Sequence, residues 1–459
     1  MTRFTNISNS VSGIGRTWLA VSLLTALAVS LPSSAQDFAR LGERQILGTA
    51  RYVSMGGAMS AIGGDPSSTY DNIAGLGMYR RSEVLLTLNE SLDKTQEDGN
   101  NYVAYRNSVY AAQASIVISM PTYREDKGVL FHNVIFSYQR QKSFERDIYA
   151  STLRNMPSMG ELLSQQDIDW TLPYCQAPTS VSSGLQLYEY GYVNEFNIGW
   201  AMNHSNRWYF GAGVQIQSGT LTSDASYTET FYIINEEGRY HTNINDSRLI
   251  LNQVGASASL GLIARPLGWL RLGLGLQTAS VGSFKTYTAG EFSAMTDSLR
   301  HSWAPEQQFT TDAYHAPWHI SSSVAFQIGA YGLIALQYDW RKQKDEYSMH
   351  SLRAGFEVIP VLGFYINGGY AYESSFKDDR RIVGMDPSFN RQDMYFQHPV
   401  GAHYASIALG YRGTHVIVQA AYQYRAETLH LWAHENADPY LVHADTHRVV
   451  LTLGWHRYY

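Results

Sequence analysis

From Ser82 to the end of the chain, apolar and polar residues alternate with a period of two, the pattern of β-strands whose two faces meet different surroundings. Over 334–341, the even positions are Ile, Leu, Tyr and Trp, and the odd positions are Ala, Gln, Asp and Arg. The alternation predicts about 14 strands, most of them ten or more residues long. Tilted strands of this length can cross a bilayer, whereas globular strands usually have about five or six residues. The predicted strands are 82–91, 110–121, 128–141, 189–203, 207–220, 247–264, 269–283, 316–328, 331–343, 348–359, 363–374, 401–411, 414–427 and 445–458.

The connections between these strands alternate in length. The short ones are 122–127, 204–206, 265–268, 329–330, 360–362 and 412–413. The long ones are 92–109, 142–188, 221–246, 284–315, 375–400 and 428–444, and the connection at 344–347 is the one exception to the alternation. Outer-membrane barrels have short periplasmic turns and longer extracellular loops. The sequence therefore predicts an all-β fold, a transmembrane antiparallel β-barrel with long extracellular loops over 82–459.

In such a barrel the apolar face of each strand meets lipid and the polar face lines the lumen. The residues predicted to line the lumen are Gln337, Asp339, Arg341, Gln419, Gln423 and Arg425. The last strand would place Val449, Leu451, Leu453, Trp455 and the terminal Tyr459 on the lipid face. Pairing of that strand with the first would remove both sheet edges, because unpaired backbone groups are very costly in lipid.

Residues 1–35 have the features of a cleaved secretory signal peptide. Arg3 and Arg16 provide positive charge, 18–31 is an apolar run, and the small residues 33–35 fit a cleavage site. The predicted division of the chain is a signal peptide over 1–35, a hatch or plug over 36–81 and the barrel over 82–459. We therefore expect export to the outer membrane of a Gram-negative bacterium.

The stretch from Thr49 to Tyr79 is rich in Gly, Ala and Ser and is nearly free of charge. Asp65 and Pro66 predict a short helix, with Asp65 as its N-cap and Pro66 at the first helical position. A compact segment of small residues and turns fits a plug packed inside a larger structure. The alternative is a Gly-rich linker, which would not need the apolar residues Met55, Met59, Ile62 and Leu76.

This stretch resembles the N-terminal hatch of the FadL/TodX family of outer-membrane hydrophobic-compound transporters. The matching residues are Ser54 to Ala58, the small residues up to Gly64, Asp65, Tyr70 and Asn72 to Leu76, with Ile73 where the family usually has proline. The resemblance implies a 14-stranded barrel with a hatch in its lumen, and a lateral gap in the wall through which solutes diffuse. The hatch residues that it implies are Met55, Gly56, Gly57, Asp65, Tyr70, Asn72, Ala74, Gly75 and Leu76.

Composition narrows the protein class further. The chain has 459 residues and 44% hydrophobic content, but no second long apolar run after the leader, which excludes a polytopic helical membrane protein. The 33 Tyr and 10 Trp residues fit the aromatic girdles of outer-membrane barrels. The net charge of −6 gives no reason to expect nucleic acid as a partner, and the single Cys175 excludes an intramolecular disulfide framework.

No recognised catalytic or phosphate-binding motif is present in the sequence, so an enzyme is not expected, and no catalytic, cofactor or metal residues are assigned. The most suggestive cluster contains His430, His434, Glu435, Asp438, His443 and His447. His430 and His434 have the i, i+4 spacing with which a helix could hold a metal or haem. The alternative is that these residues belong to a solvated polar loop.

The predicted function is passive uptake of hydrophobic small molecules, such as long-chain fatty acids, through a hatch-gated barrel. The apolar residues that could capture them are Leu153, Met156, Met159, Leu162, Leu163, Trp170, Leu172 and Tyr174, which could equally hold their loop together. Two alternatives are a PorV-like outer-membrane partner for secreted proteins and a haem receptor. The expected partners are outer-membrane lipid and lipopolysaccharide, a hydrophobic small molecule and the barrel-assembly machinery, and the chain is expected to be a monomer.

Overall fold

The computed structural model describes residues 41–122, 128–152, 156–157, 179–180, 182–233, 239–295, 300–304, 307–342, 348–375, 396–432 and 438–457. The predicted signal peptide over 1–35 lies outside these residues. Among the described residues, no helix has the length and apolar character needed to span a bilayer.

Twenty strands are described, and eighteen of them form one antiparallel sheet. The first ten are β1 (Ser82–Glu97), β2 (Val103–Pro121), β3 (Val129–Ser143), β4 (Arg146–Thr152), β5 (Met156–Pro157), β6 (Thr179–Ser180), β7 (Ser182–His204), β8 (Trp208–Ile233), β9 (Arg239–Leu267) and β10 (Leu270–Gln277). The others are β11 (Val281–Met295), β12 (Arg300–Trp303), β13 (Gln308–His315), β14 (Trp318–Ile328), β15 (Gly332–Lys342), β16 (Ser348–Val361), β17 (Phe364–Ser374), β18 (Phe396–Arg412), β19 (Val416–Trp432) and β20 (Tyr440–Arg457). Strands β5 and β6 pair separately.

The large sheet closes on itself, because β1 pairs with β2 on one side and with β20 on the other. Three barrel strands are interrupted: β3 continues as β4, β10 continues as β11, and β12, β13 and β14 together form a single strand of the wall. Counted in this way, the wall has the fourteen strands that the alternation predicted. The predicted transmembrane β-barrel is confirmed.

The outer face of the barrel is apolar over a broad band. The large apolar residues exposed on it include Val84, Leu86, Ile116, Ile198, Leu274, Ile334, Leu336, Leu352, Val418, Leu451, Leu453 and Trp455. The inner face is polar at the same level, with buried Gln113, Asn133, Asn197, Gln215, Gln337 and Gln419. This is the inverse of a water-soluble protein and is the arrangement that a lipid-embedded barrel requires.

Several of the predicted long loops, namely 92–109, 221–246, 284–315 and 428–444, are mostly strand, and this part of the prediction is wrong for them, whereas 142–188 and 375–400 lie largely outside the described residues. β8 has 26 residues and β9 has 29, so the predicted loop over 221–246 is largely a paired hairpin in which Leu221 faces Leu251. β1, β2, β19 and β20 also extend past their predicted ends. These stretches are rich in Thr, Ser and Tyr, which favour strands. They were predicted as loops because their outward residues are polar once the strand has left the membrane.

Two predicted strands are broken. The strand predicted over 269–283 is interrupted at 278–280, and the one predicted over 316–328 begins after Pro317, which has no backbone N–H to donate to a neighbouring strand. These two interruptions lie at the same level of the wall, since β10 pairs with β14 and β11 pairs with β13.

The two ends of the barrel differ. One end, called here the tight-turn end, carries the short turns at 205–207, 268–269, 329–331, 362–363 and 413–415, as predicted. The other end, called here the long-hairpin end, carries the extended hairpins of β7, β8, β9 and β11. The chain enters β1 from the tight-turn end, preceded by the residues described next.

Candidate functional site

The residues before the barrel, 41–81, are called here the N-terminal segment, and they lie inside the barrel. Helix α1 (Ala50–Ser54) contacts β17, β18, β19 and β20, whereas a 3-10 helix over Ile73–Met78 contacts β3, β7, β8 and β9 on the opposite wall. A second 3-10 helix, Pro66–Tyr70, lies between them in sequence. The segment therefore crosses the lumen, and nearly all of its residues from Ile46 to Tyr79 are buried.

Local capping shapes the segment as its sequence indicates. The side chains of Thr49, Asp65 and Asn72 each accept a backbone N–H at the start of one of the three helices. Asp65 accepts from Ser67 N at 2.9 Å and from the Thr49 hydroxyl at 2.8 Å and 2.7 Å. Ile73 occupies the first position of its 3-10 helix. Proline is tolerated there, so isoleucine can replace the proline of the FadL/TodX pattern without a change of backbone.

The wall approaches the segment closely at glycines. A Cβ at Gly261 of β9 would lie 2.2 Å from Asn72 Oδ1, and a Cβ at Gly369 of β17 would lie 2.3 Å from Gly56 N. Gly56 itself has a φ of +60°, a conformation in which glycine is strongly preferred. The wall therefore contacts the backbone of the segment on both sides.

Of the predicted hatch residues, Met55, Gly56 and Gly57 contact β16 and β17, and Gly75 packs on Gly63 within the segment. Four others, Tyr70, Asn72, Ala74 and Leu76, are buried among the strands on the other side of the lumen. The ninth, Asp65, is the helix cap described above. Tyr70 donates its hydroxyl to Glu195 O at 3.1 Å, and Asn72 Nδ2 donates to Ser60 O at 2.9 Å and to Leu262 O at 3.2 Å.

A buried ionic network joins the segment to the wall. Arg353 of β16 contacts Asp71 Oδ2 at 3.2 Å, Asp339 Oδ2 at 3.0 Å and Glu373 Oε1 at 3.4 Å, and all four side chains are at most 3% exposed. The Tyr52 hydroxyl also donates to Asp71 Oδ2, at 2.6 Å. Asp339 is one of the predicted lumen residues, but the sequence carries no signal for its partners, because they meet only after the barrel closes.

The same ionic network includes a cluster of three side chains that could otherwise bind a metal ion. The ligand atoms of Asp71, His319 and Asp339 lie within 4.8 Å of one another. The Arg353 guanidinium bonds to both carboxylates and so supplies the positive charge between them. The residues present therefore favour an arginine-centred ion-pair cluster at this place.

Further ion pairs hold the segment, among them those of Arg51 and Arg44 and the pair of Glu43 with Lys142 of β3. Arg51 donates to Glu357 at 2.7 Å and 3.0 Å, and Arg44 donates to Glu195 at 2.8 Å. Burial by itself would lower the pKa of Arg51, but the Glu357 carboxylate outweighs it, and the pKa is raised above its usual range. Burial raises the pKa of the Asp65 carboxyl, although Arg51 and the hydrogen bond from Thr49 act in the opposite direction.

The six predicted lumen residues all lie on the inner face and are buried. Three bond to the segment: Gln337 accepts from Ser60 N at 2.9 Å, Gln419 accepts from Arg51 N at 3.2 Å, and Gln423 donates to Ile46 O at 3.3 Å. Arg425 instead pairs with Glu427 on its own strand at 2.8 Å. Arg341 contacts the sulfur of Met349 at 3.9 Å.

Towards the long-hairpin end the inner face carries a group of apolar side chains, beside buried charged ones such as Glu189 and Glu229. The apolar residues of this group are almost completely buried, and this set, called here the apolar lining, contains Ile148, Leu185, Leu187, Val193, Leu221, Leu249, Leu251, Phe284, Leu429, Leu431 and Val442. Part of it packs around Leu41 and Phe144. Sequence analysis missed this lining because most of its residues fall in stretches predicted as loops, although they alternate with polar residues there.

The predicted capture loop is mostly outside the described residues. Met156 lies in the short strand β5, and the other seven residues, Leu153, Met159, Leu162, Leu163, Trp170, Leu172 and Tyr174, lie outside the part of the chain that the structure describes. Their proposed role stays a prediction.

The histidines near the last long connection do not form the helical pair that the sequence suggested. His430 lies in β19 and packs edge-on against Trp432, so the i, i+4 interpretation is wrong for it, and His434 and Glu435 lie outside the described residues. His447 is on the outer face of β20, where its Nδ1 is hydrogen-bonded to the Tyr422 hydroxyl at 2.7 Å.

The wall has a break between β2 and β4. Pairing of β2 with β3 ends at Gln113 and Gln139, and among the described residues 103–111 pair with β1 alone. Beyond this point β4 pairs with β7, and Arg146 reaches from β4 across to Asp93 of β1 at 3.0 Å. β4 is thus drawn inward, behind the neighbouring strand.

The Arg140 side chain lies beside this break. Its guanidinium carbon is 4.2 Å from the centre of the Tyr110 ring and 4.9 Å from that of the Tyr192 ring. A cavity of about 50 Å³, lined by Asp93, Lys142, Arg146 and Glu427 among others, lies on the lumen side. Polar groups therefore line the lumen side of the break, and the Arg140 guanidinium lies between two aromatic rings at its edge.

Comparison with solved structures gives the fold. The chain is similar to a Pseudomonas aeruginosa FadL homologue, with TM-score 0.52, 11% identity and coverage of 90% of this chain and 99% of that one. It is also similar to the Pseudomonas putida toluene transporter TodX (TM-score 0.54, 12% identity, 90% and 98% covered) and to the Ralstonia pickettii toluene transporter TbuX (0.50, 11%, 90% and 99%). No protein-family model and no curated protein sequence matches this chain. The predicted resemblance to FadL and TodX is therefore confirmed for the fold, over nearly the whole chain.

Proposed function

We propose that this barrel carries hydrophobic small molecules passively across the bacterial outer membrane. The observation that carries the proposal is the apolar lining, which lies inside the long-hairpin end of the barrel. Apolar solutes favour such a surface by about 25 cal/mol for each Å² removed from water. The solved structures of the same fold include toluene transporters, and the hydrophobic class is proposed here for this chain on the strength of its own lining.

The N-terminal segment acts as a hatch in this proposal. It crosses the lumen beneath the apolar lining and is bonded to the wall by Arg353, Arg51 and Arg44. A solute that reaches the lining can pass only if the segment rearranges or if the wall offers a side exit. The break between β2 and β4 is the proposed exit, because strand hydrogen bonding is already absent there.

The proposed substrate class is apolar molecules of modest size, with monoaromatic hydrocarbons and long-chain fatty acids as the two groups to compare. The test is uptake of radiolabelled toluene and oleate by a bacterial strain that lacks its own transporter of this type. The wild-type protein should restore uptake of at least one of them. Uptake of neither above the empty strain would contradict the proposal.

A double variant, Leu249→Gln with Leu251→Gln, connects uptake to the apolar lining. Loss of two buried apolar contacts should weaken capture about tenfold or more. Asn252→Ala is the matched control, since Asn252 lies on the same strand with its side chain on the outer face. Equal uptake by the double variant and the control would place capture elsewhere.

A second candidate is a docking role for a secreted protein, as in PorV-like barrels. An open groove of about 610 Å³ on the outer face of the long hairpins favours it, lined by Tyr188, Asp224, Arg248 and Tyr287 among others. Under this alternative, a single protein should co-purify in equal amount with the barrel, and charge reversal at Arg248 should release it. Such a result together with no solute uptake would favour docking over transport.

A further inference from the structure

Three arginines meet at the tight-turn end of the barrel, on one side of it. Arg80 is near the end of the N-terminal segment, Arg207 is in the turn between β7 and β8, and Arg265 is near the end of β9. Arg265 N donates to Arg207 O at 2.7 Å, and the Arg80 guanidinium bonds to Asn206 Oδ1 in the same turn. These three residues are called here the basic rim.

The guanidinium groups of the basic rim lie near the surface. Arg80 lies over the Phe131 ring at 5.1 Å, and Arg265 donates to Gly268 O at 2.7 Å within its own turn. A guanidinium has five N–H donors, so these contacts leave donors for an external oxygen atom. Arg80 and Arg207 are exposed, and Arg265 is partly exposed.

Among the described residues, no acidic side chain on the neighbouring strand ends compensates for this charge. Residues 128–143, 196–213 and 247–273 contain no Asp or Glu. The acidic residues Glu195 and Asp246 lie just outside these ranges. Glu83, the nearest acidic residue at the start of β1, pairs with Arg412 at 3.0 Å. Residues 123–127, which lie outside the described part of the chain, contain two basic and two acidic residues, so their net formal charge is zero.

Apolar side chains adjoin the basic rim on the lipid-facing side. Trp208 is 46% exposed, Trp269 is 52% exposed and Leu267 is 49% exposed. Trp at this level is typical of the membrane–water interface. A molecule bound here would meet cations at its head and an apolar wall along its length.

We propose that the basic rim binds the headgroup of an anionic phospholipid, such as phosphatidylglycerol, in the membrane leaflet at the tight-turn end. The lipid phosphate accepts hydrogen bonds from the arginines, and its acyl chains lie against Trp208, Trp269 and Leu267. The proposal goes beyond solute transport. Both this proposal and the proposed function place the tight-turn end of the barrel on the periplasmic side.

The test measures lipid retention by native mass spectrometry and the change in Tm on adding lipid to the detergent-solubilised full chain. Wild-type protein should retain phosphatidylglycerol in preference to phosphatidylcholine, and its Tm should rise more with the anionic lipid. The triple variant Arg80→Gln, Arg207→Gln, Arg265→Gln should lose this preference by about 100-fold in apparent affinity at low salt, since each basic residue contributes about fivefold near an anionic surface.

Three controls make the outcome decisive. Arg248→Gln removes an exposed arginine at the long-hairpin end and should leave lipid preference unchanged. The Arg-to-Lys triple variant should retain most of the preference, because it keeps the charge. Far-UV circular dichroism should show an unchanged strand content in every variant, so that loss of binding is not loss of folding.

Three results would overturn the proposal. One is wild-type protein that does not discriminate between the two lipids. Another is an equal loss of preference in Arg248→Gln and in the triple variant. The third is a Tm rise produced equally by inorganic phosphate or by lipopolysaccharide, since the site would then not be one for a phospholipid. Solute uptake is not a readout here, so failure of this proposal is separable from failure of the transport proposal.

Discussion

Arg353 and Asp71, which are 282 residues apart in sequence, bond to each other at 3.2 Å in the barrel lumen. One belongs to the wall and the other to the N-terminal segment, and both side chains are at most 3% exposed. A charge taken out of water needs a partner, because desolvation of an isolated ion costs several kcal/mol. The pair therefore fixes the position of the segment more firmly than packing alone would.

Replacement of Arg353 by Met should loosen the segment. Asp71, Asp339 and Glu373 would lose their shared cation, with an expected cost of about 3–5 kcal/mol. The variant should unfold at lower denaturant concentration and show larger ion conductance in planar bilayers. Addition of Asp71→Asn and Asp339→Asn should restore part of the stability. The control is Arg248→Met, which breaks an exposed pair and should cost at most about 1 kcal/mol.

Gly261→Ala and Gly369→Ala should displace the segment without a change of charge. The added methyl groups would lie 2.2 Å and 2.3 Å from segment atoms, so the segment must move. Increased cleavage of the segment by protease added from the tight-turn side would report the movement. Gly268→Ala is the matched control, because a Cβ there meets nothing within 4 Å. If the segment is equally protected from protease in all three variants, the added methyl groups do not displace it.

Arg140→Leu tests the proposed side exit. Removal of the cation between Tyr110 and Tyr192 should speed release of an apolar solute into the membrane. The expected result is faster uptake of toluene with unchanged permeability to a small sugar, measured in proteoliposomes. If both permeabilities rise together, the variant has opened the lumen and not the wall.

The pH dependence of the segment should include a contribution from Asp65. Burial raises the pKa of this carboxyl in the folded state. The folded protein therefore binds the proton more tightly than the unfolded chain, and this contribution to stability increases as the pH falls through the folded pKa. Asp65→Asn should remove it. Protease protection of the segment, measured from about pH 7 to 4, should rise less in the variant than in the wild type. Parallel profiles would contradict the assignment to Asp65.

Tyr–His pairs recur on the outer face of three hairpins. Tyr338 and His350, Tyr370 and His403, and Tyr422 and His447 each form a hydroxyl-to-Nδ1 bond of 2.7 Å. Tyr422→Phe removes one such bond and should lower the free energy of unfolding by about 0.5–1.5 kcal/mol. The same substitution at Tyr331, in an exposed turn, is the control. An unchanged unfolding midpoint for Tyr422→Phe would mean that water replaces the bond at no cost.

Much of the fold follows from local pattern. Ile334 and Leu336 against Gln337 and Asp339 indicate which face of a strand meets lipid, because side chains alternate strictly along a strand. Pattern fails at the long hairpins, where Leu249 and Leu251 point inward while the outward residues meet water. The inside–outside contrast is then reversed, and alternation alone does not reveal where the bilayer ends.

The sequence by itself determined the strand count, the lipid-facing side chains and the cap at Asp65, since these depend on neighbours along the chain. Only the tertiary structure decided that Arg353 meets Asp71, that the apolar lining gathers above the segment, and that the wall breaks beside Arg140. Each of these depends on which strands face one another after the barrel has closed, and strand periodicity carries no information about a partner across the lumen.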